Sequence, residues 1–117
     1  MLVFNGTVNV RIVEASDLKP TLWRTRFSSV TSQKGSQLLD PYCNVDVDEY
    51  LIYTTTTKTR TYNPRWNEQV STVVHDGQSI GFSVFHDCAI PPDDFVANCR
   101  IMFEELVSDL NDIWVSF

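Results

Sequence analysis

The residues best suited to acid–base chemistry are two histidines, and neither has the partners that catalysis needs. His86 is followed directly by Asp87, an arrangement that could serve as a base with its orienting acid, whereas His75 opens a polar turn. No nucleophile with a matching partner can be identified, and the four glycines are too scattered for a phosphate-binding loop. A structural histidine at the end of a strand explains His86 more simply. The sequence therefore predicts a domain that is not an enzyme.

The cysteines indicate a reducing compartment and no metal site. Three cysteines cannot all pair, and their spacing fits no zinc-binding pattern. The sequence has neither a basic stretch followed by an apolar run at its amino terminus nor a run of about eighteen apolar residues. We therefore expect a cytoplasmic protein with peripheral membrane contact and no cofactor. The cysteines are Cys43, Cys88 and Cys99.

The net charge of −6 hides a strong asymmetry along the chain. Residues 19–39 carry four basic residues and no acid, a local charge of +4, and the rest of the chain carries −10. Nucleic-acid binding depends on clustered lysine and arginine, so an acidic body argues against it. The sequence predicts an acidic domain with one basic loop and no nucleic-acid partner.

Alternating apolar residues predict an all-β fold. The period of two that half-buried strands require recurs along the chain, and the threonine-rich run 54–61 favours an exposed edge strand. The predicted strands cover residues 2–14, 41–48, 49–54, 54–61, 66–73, 80–86, 95–103 and 113–117. Polar residues 67–69 are expected to interrupt the fifth of them, and turns are expected at 62–64 and 75–78.

One short amphipathic helix is predicted over residues 103–110, because apolar residues occupy positions 103, 106, 107 and 110. About eight strands with turn signals roughly every eight to twelve residues predict an eight-stranded antiparallel β-sandwich. The length suits a single domain over residues 1–117. The loops at one end of such a sandwich share a rim, so residues 16–39, 62–65 and 87–94 are expected to lie together.

Three segments resemble the motifs of C2 domains, and they occur in the same order. They are Leu39–Tyr42, Lys58–Glu68 and Val84–Val96. The likeness extends over the whole chain and is closest to the amino-terminal C2 domain of novel, calcium-independent protein kinase C enzymes of the epsilon and eta type. The subgroup resemblance is carried by Phe4–Gly6, Leu18–Pro20, Phe85–Asp87 and Asp93–Cys99. It implies a non-catalytic regulatory fragment of a larger serine/threonine kinase, with phospholipase-type strand topology.

The resemblance also sets an expectation for calcium. Calcium-binding members of the family use about five aspartates, since Ca²⁺ takes about six to eight oxygen ligands. Asp40, Asp87 and Asp94 fall on matching positions, but the early position lies in the acid-free stretch and the position two after Asp87 is Ala89. We therefore expect no calcium cofactor, and we interpret the three aspartates as vestigial positions that serve loop hydrogen bonding. For Asp40, simple turn chemistry beside Pro41 remains the alternative.

A basic and apolar loop could replace calcium as the link to lipid. Each basic residue near an anionic membrane contributes about 1 kcal/mol before screening, and an indole suits the headgroup boundary. The resemblance implies binding of phosphatidic acid and phosphatidylserine through loop tips. The alternatives are a core position for the tryptophan and ordinary solvation for the charges. The candidate lipid-binding residues are Leu22, Trp23, Arg24, Arg26, Lys34 and Ile90, with Lys19 adding charge.

A second basic set consists of Lys58, Arg60 and Arg65. It resembles the lysine-rich strand with which relatives contact phosphoinositide headgroups. Charged protection of an edge strand is the alternative that we prefer.

Protein partners form the third hypothesis. In the subgroup that the chain resembles, the stretches matching 14–21 and 86–93 are associated with a scaffold protein and with an internal contact that mimics it. This sequence departs from both, through Asp17 in the first and through Cys88 and Pro91–Pro92 in the second. Ser36 is a candidate phosphorylation site, because a phosphate there would weaken the attraction of the basic loop to lipid.

Two functions thus remain open from the sequence. The first is calcium-independent binding of anionic membrane, with translocation from the cytoplasm and autoinhibition of the kinase through its diacylglycerol-binding and kinase domains. The second is a protein-interaction module with little lipid affinity of its own.

Overall fold

The computed structural model describes residues 3–19 and 38–107, which form six strands and one short helix. In chain order these elements are β1 (Phe4–Glu14), β2 (Pro41–Val47), β3 (Tyr50–Thr54), β4 (Arg65–Gly77), β5 (Ser79–His86), β6 (Asp94–Met102) and α1 (Phe103–Val107). The predicted β class with one short helix is confirmed. The predicted strand at 113–117 and the end of the predicted helix lie outside the described residues. In the described part of the chain, no helix has the length and hydrophobicity needed to cross a bilayer.

The strands form two antiparallel sheets. In the first sheet β1 pairs with β4, from Phe4 opposite Gly77 to Glu14 opposite Arg65. The second sheet has the strand order β3-β2-β5-β6. Side chains of β2 alternate between buried and half-buried positions from Pro41 to Val47, as expected for a strand with one face in the core. The sheets therefore enclose apolar side chains between them in a β-sandwich.

The core takes side chains from both sheets. Leu39, Val45 and Val84 are fully buried in the second sheet or beside it, and Trp66 is buried on β4. Pro41 is also among the largest fully buried side chains, so apolar residues anchor the chain on either side of Asp40. This burial fixes the point at which β2 leaves the loop end of the sandwich.

The prediction of an edge strand over residues 54–61 is wrong beyond Thr54, because β3 ends at that residue. Thr55 N–H, Lys58 N–H and Thr61 N–H donate to carbonyls that precede or lie in β2, at intervals of three residues instead of two. The Cys43 N–H donates to the Thr55 hydroxyl at 2.9 Å, in place of a ladder carbonyl. Side-chain oxygens thus compete with regular pairing here, as threonine hydroxyls commonly do.

The Glu68 carboxylate holds the same segment from the other sheet. It accepts hydrogen bonds from the Thr56 N–H, the Thr56 hydroxyl and the Tyr53 hydroxyl. Burial acts to raise the pKa of Glu68, but these hydrogen bonds and the nearby Lys58 charge outweigh it and lower the pKa. The carboxylate on β4 therefore joins the segment after β3 to the first sheet.

The strand β4 is longer and more regular than predicted. Residues 67–69 do not interrupt it, although Asn67 has a φ of 50° and the register against β1 shifts between Ile12 and Glu14. It extends through the predicted turn to Gly77, and Gln78 alone separates it from β5. A Cβ atom at Gly77 would lie 2.3 Å from Val74 Cγ1, so only glycine fits this close approach.

A two-residue turn, Asp48–Glu49, joins β2 to β3 with positive φ at both residues, 49° and 73°. The turn contains none of the usual Asn-Gly or Asp-Gly sequences, so its signal in the sequence is weak. The Asp48 carboxylate accepts the N–H groups of Gln78 and Ser79. It thereby fastens the hairpin to the β4–β5 connection.

We expect Asp48→Asn to lower the stability of the folded chain by about 1 kcal/mol at neutral pH, because the bonds from Gln78 and Ser79 lose their charged acceptor but can keep an oxygen acceptor. Asparagine tolerates the positive φ but removes the charge. Burial acts to raise the pKa of Asp48, and the bonds from Gln78 and Ser79 outweigh it and lower the pKa. The stabilisation is therefore present above the ordinary pKa and is lost as pH falls through the lower folded-state value.

Urea unfolding of the wild type and Asp48→Asn across pH measures this effect. The difference between the two proteins should narrow below about pH 4. Glu49→Gln removes a neighbouring negative charge and is the matched control. A difference that stays constant with pH, or one that Glu49→Gln reproduces, would contradict the proposed role of the Asp48 carboxylate.

Candidate functional site

The loops meet at the end of the sandwich where β2 begins and β5 ends. Pro41 lies opposite His86, and His86 lies opposite Asp94, the first residue of β6. Backbone hydrogen bonds of 3.0 Å join Ala15 N–H to the Pro64 carbonyl and Leu18 N–H to the Tyr62 carbonyl. The predicted common rim of residues 16–39, 62–65 and 87–94 is thus confirmed for the described part of the chain. We call this end the loop end.

Asp40 is the residue on which the loop end converges. Its N–H donates to His86 Nδ1 at 2.9 Å, and its carbonyl accepts the Asp87 N–H at 2.9 Å. Its carboxylate accepts the Arg60 N–H at 2.7 Å. The bonded amide of Arg60 is twenty residues away in sequence. Asp40 therefore joins three segments, where turn chemistry alone predicts bonds to neighbouring amides.

His86 has a structural role at the end of β5. Its side chain is 2% exposed, and its Nδ1 atom accepts the Asp40 N–H, which requires that atom to carry no proton. The structural interpretation of His86 is confirmed. His75 lies near the carboxyl-terminal end of β4, whereas the loop end adjoins the start of that strand.

The loop over residues 87–93 is closed by the Asp93 carboxylate. One oxygen accepts the Cys88 N–H at 3.0 Å, and the other accepts the Tyr42 hydroxyl at 2.6 Å. These bonds, the one from Tyr42 first, lower the pKa of Asp93. Burial together with the bond and charge of Asp93 raises the pKa of Tyr42 to about 12. The sequence does not predict a role for Asp93, because its hydrogen-bond partner Tyr42 is 51 residues away in the chain.

The closed loop presents an apolar tip to solvent. Residues 89–92 are exposed, and Ile90 is 82% exposed. We call the four residues Ala89, Ile90, Pro91 and Pro92 the apolar tip. From the sequence, only Ile90 of these four is a candidate.

The matching calcium positions do not form a carboxylate cluster that fits the ion. Asp40 has its carboxylate at the Arg60 N–H, and Asp87 accepts the Thr57 hydroxyl at 3.2 Å. In residues 3–19 and 38–107, no three His, Cys, Asp or Glu side chains are grouped so that they could hold a metal ion. Two anionic positions of the calcium-binding pattern are also missing from the sequence. That calcium is not a cofactor stays a prediction from the sequence.

The second basic set is divided between different surroundings. Arg65 on β4 has its Nε atom 3.9 Å from the Glu14 carboxylate. Lys58 lies close enough to Glu68 to lower the pKa of that carboxyl group. Lys58 and Arg60 do not share a strand face, because their segment is not a strand. The interpretation as a lysine-rich strand therefore lacks its strand, whereas charged protection of the edge beside β2 stays a prediction.

The remaining candidate residues lie outside the described residues, namely Leu22, Trp23, Arg24, Arg26, Lys34 and Ser36. The described residues that border them, Lys19 and Leu38, are both at the loop end. Their described neighbours Leu18 and Leu39 are hydrogen-bonded at the loop end, which also carries the apolar tip.

The fold and this loop end are those of a known family. The sequence model of the C2 domain matches residues 6–116, and the chain belongs to the C2 domain family. It is 50% identical over 116 residues to protein kinase C-like 1B of Caenorhabditis elegans, covering 97% of this chain and 16% of the relative. The resemblance to C2 domains of protein kinase C is thus confirmed. The match lies in a non-catalytic domain of these relatives.

Two further relatives belong to the predicted subgroup. The chain is 46% identical over 109 residues to protein kinase C epsilon type of Oryctolagus cuniculus, with 93% of this chain and 15% of the relative covered. It is 44% identical over 117 residues to protein kinase C eta type of Homo sapiens, with coverage of 96% and 17%. The chain therefore spans about a sixth of the length of these relatives.

Solved structures support the fold. A structure of extended synaptotagmin 2 that contains its SMP domain and two C2 domains matches with a TM-score of 0.70 at 23% identity, over 90% of this chain and 22% of that chain. A C2 domain of RIM from Drosophila matches with a TM-score of 0.68 at 16% identity, over 90% and 81%. At these identities the similarity concerns the fold.

We expect Asp40→Ala to destabilise the chain by about 0.5 to 1.5 kcal/mol, because it removes the acceptor of the exposed Arg60 N–H, which water can replace only in part. Asp40→Asn keeps a side-chain oxygen at the same position and should cost clearly less. Chemical unfolding of both variants measures the difference. Equal loss of stability in the two variants would show that the charge of Asp40, and not its acceptor geometry, matters to the fold.

Proposed function

We propose that this C2 domain binds anionic membranes peripherally and without calcium, with its loop end facing the bilayer. The observation that carries the proposal is the apolar tip, which the Asp93 clamp holds outward with Ile90 82% exposed. The basic stretch 19–39 begins and ends at the same end of the sandwich. Apolar insertion and positive charge would then act on one side of the molecule.

The two contributions are of comparable size. Burial of an isoleucine side chain contributes about 1.5 to 3 kcal/mol, and each basic residue near an anionic surface contributes about 1 kcal/mol before screening by salt. The four basic residues Lys19, Arg24, Arg26 and Lys34 give the stretch its charge of +4. Trp23 and Leu22 add apolar surface to the same stretch.

The carboxylates of the loop end oppose this attraction, and hydrogen bonds partly offset their effect. Asp40 and Asp93 each accept bonds from backbone N–H groups, which spread their negative charge. We propose that the basic stretch takes over the role that the metal has in other C2 domains, since two anionic positions of the calcium-binding pattern are missing from the sequence. The expected ligands are phosphatidic acid and phosphatidylserine.

In the parent protein, the domain would act as a regulatory module. We propose that the parent is a novel protein kinase C, in which this domain contacts the diacylglycerol-binding and kinase domains, restrains catalysis and moves from the cytoplasm to the membrane on activation. The proposal is supported by the identity of 44 to 46% to the epsilon and eta types. Phosphorylation of Ser36 would add negative charge to the basic stretch and weaken its attraction to lipid.

The second candidate function is docking on a protein, either a scaffold or another part of the same kinase. The charge of −10 outside residues 19–39 favours it, because an acidic body is repelled by anionic lipid. Residues 14–19 belong to the stretch that the subgroup resemblance associates with a scaffold. Vesicle binding distinguishes the two functions.

We expect the chain to co-sediment with vesicles of phosphatidylcholine and phosphatidic acid in the presence of a calcium chelator. Binding should weaken as salt rises, because the attraction is partly electrostatic. Ile90→Gln should reduce the affinity about tenfold through the loss of apolar burial, and Arg26→Gln or Trp23→Ala should also reduce it. The same measurement with phosphatidylserine in place of phosphatidic acid gives the preference between the two headgroups.

The matched control is Leu51→Gln, which removes a side chain that is 61% exposed and lies away from the loop end. It should leave vesicle binding unchanged. A chain that binds no anionic vesicle at low salt would favour the protein-docking function. Equal losses in Ile90→Gln and Leu51→Gln would argue against an oriented loop end.

A calcium titration monitored by thermal unfolding tests the metal independently. A ligand that binds only the folded chain raises Tm as its occupancy increases. Because we expect no calcium binding, we expect no change in Tm at micromolar calcium. Magnesium is the control for ionic strength. A rise in Tm with micromolar calcium that Asp87→Asn abolishes would contradict the proposal.

A further inference from the structure

Three aromatic rings form a row across the outer face of the four-stranded sheet. Tyr42 lies opposite Phe85, and Phe85 lies opposite Phe95, on three adjacent strands. The rings of Tyr42 and Phe85 are stacked with centroids 5.9 Å apart, and Phe85 meets Phe95 edge to face at 6.0 Å. Phe95 is 54% exposed. This aromatic row therefore offers an apolar surface on the solvent side of the sheet.

A polar pocket lies against the Tyr42 end of the row. Its lining includes Tyr42, Asn44, Thr54, Thr57, Asp87 and Asp93. None of the described lining residues is basic, and the two aspartates make it an acidic pocket. Its hydroxyl, amide and carboxylate oxygens are hydrogen-bond acceptors. The pocket is thus suited to a ligand that brings positive charge and several N–H donors.

Two basic residues in the described part of the chain have carboxylate neighbours outside the pocket. The bond from the Tyr42 hydroxyl lowers the pKa of Asp93, so this carboxyl group is ionised at neutral pH. Arg100, the basic residue of β6 in the same sheet, is held 2.7 Å from the Asp46 carboxylate and 2.9 Å from the Ser79 hydroxyl. Lys58 lies near the Glu68 carboxylate, whose pKa it lowers. Among the described residues, these two basic side chains therefore interact with carboxylates other than Asp87 and Asp93.

We propose that the aromatic row and the acidic pocket form a docking site for a partner polypeptide, which binds through an arginine in an extended segment. A guanidinium stacks on aromatic faces and donates in its plane to carboxylates, so arginine suits both the aromatic row and the acidic pocket that an extended segment would contact. Charge complementarity selects a basic segment over a neutral or acidic one. Two of its carboxylates, Asp87 and Asp93, flank the apolar tip, and the site can be tested with a peptide in the absence of membrane.

Fluorescence anisotropy with the 117-residue chain tests this site. The probe is a labelled glycine–serine peptide with two arginines, and the matched probes carry lysine or glutamine at the same places. We expect the arginine peptide to bind several-fold more tightly than the lysine peptide, and the glutamine peptide not to bind. Phe95→Ala and Asp87→Asn should each weaken binding of the arginine peptide about fivefold.

Val73→Ala and Glu104→Gln are the controls, since they remove an exposed apolar side chain and an exposed carboxylate elsewhere. Both should bind the peptide like the wild type. Equal binding by all four variants, or equal affinity for arginine and lysine peptides, would overturn the proposal in favour of general attraction to an acidic chain. If circular dichroism shows that Phe95→Ala does not fold, the binding of Asp87→Asn and the comparison of the three peptides test the proposal instead.

Two further outcomes would assign the surface to another occupant. A dimer of the chain alone, detected by sedimentation and abolished by Asp87→Asn or Phe95→Ala, would place a second copy on the aromatic row. Displacement of the peptide by phosphatidic acid vesicles in the Ile90→Gln variant would place lipid there. Either result would overturn peptide docking, and neither would be produced by a failure of the apolar tip to bind membrane.

Discussion

The loop end of this domain depends on the hydrogen bonds of one residue, Asp40. The residue uses its N–H, its carbonyl and its carboxylate to bind His86, Asp87 and Arg60. Buried apolar side chains at Leu39 and Pro41 fix it on either side. Because buried or half-buried polar groups are costly when unpaired, these bonds act together, and they set the relative positions of β2, β5 and the segment after β3. The placement of the apolar tip follows from them.

The opposite end of the sandwich is held in a similar way. Asp48 fastens the β2–β3 hairpin to the start of β5, as Asp40 fastens the start of β2 to the end of β5. Many of the acidic residues that give the chain its negative charge therefore have local structural roles, as Asp46, Glu68 and Asp93 also show. An acidic composition is in this case compatible with contact to an anionic surface, because several of these charges are already bonded.

The strands with a clear period of two could be predicted from the sequence, and so could the family, whose motifs extend over the whole chain. The prediction for the threonine run is wrong because β-branched residues favour a strand, whereas the hydroxyl of Thr55 and the carboxylate of Glu68 replace ladder bonds there. Asp40 and Ile90 could be found as residues of interest. The bonds from Tyr42 to Asp93 and from Arg60 to Asp40 could not, because they join residues that are distant in sequence and that only the register of the sheet brings together.

The bond between Cys88 and Asp93 separates the tip of its loop from the rest of the fold. The side chains of residues 89–92 are exposed, and the bonds from Cys88 and Tyr42 to Asp93 use none of these four side chains. Natural variation or grafting at these four positions can therefore change what the domain touches while leaving the sandwich intact. A domain of this kind can acquire a new target surface by exchanging a single short peptide.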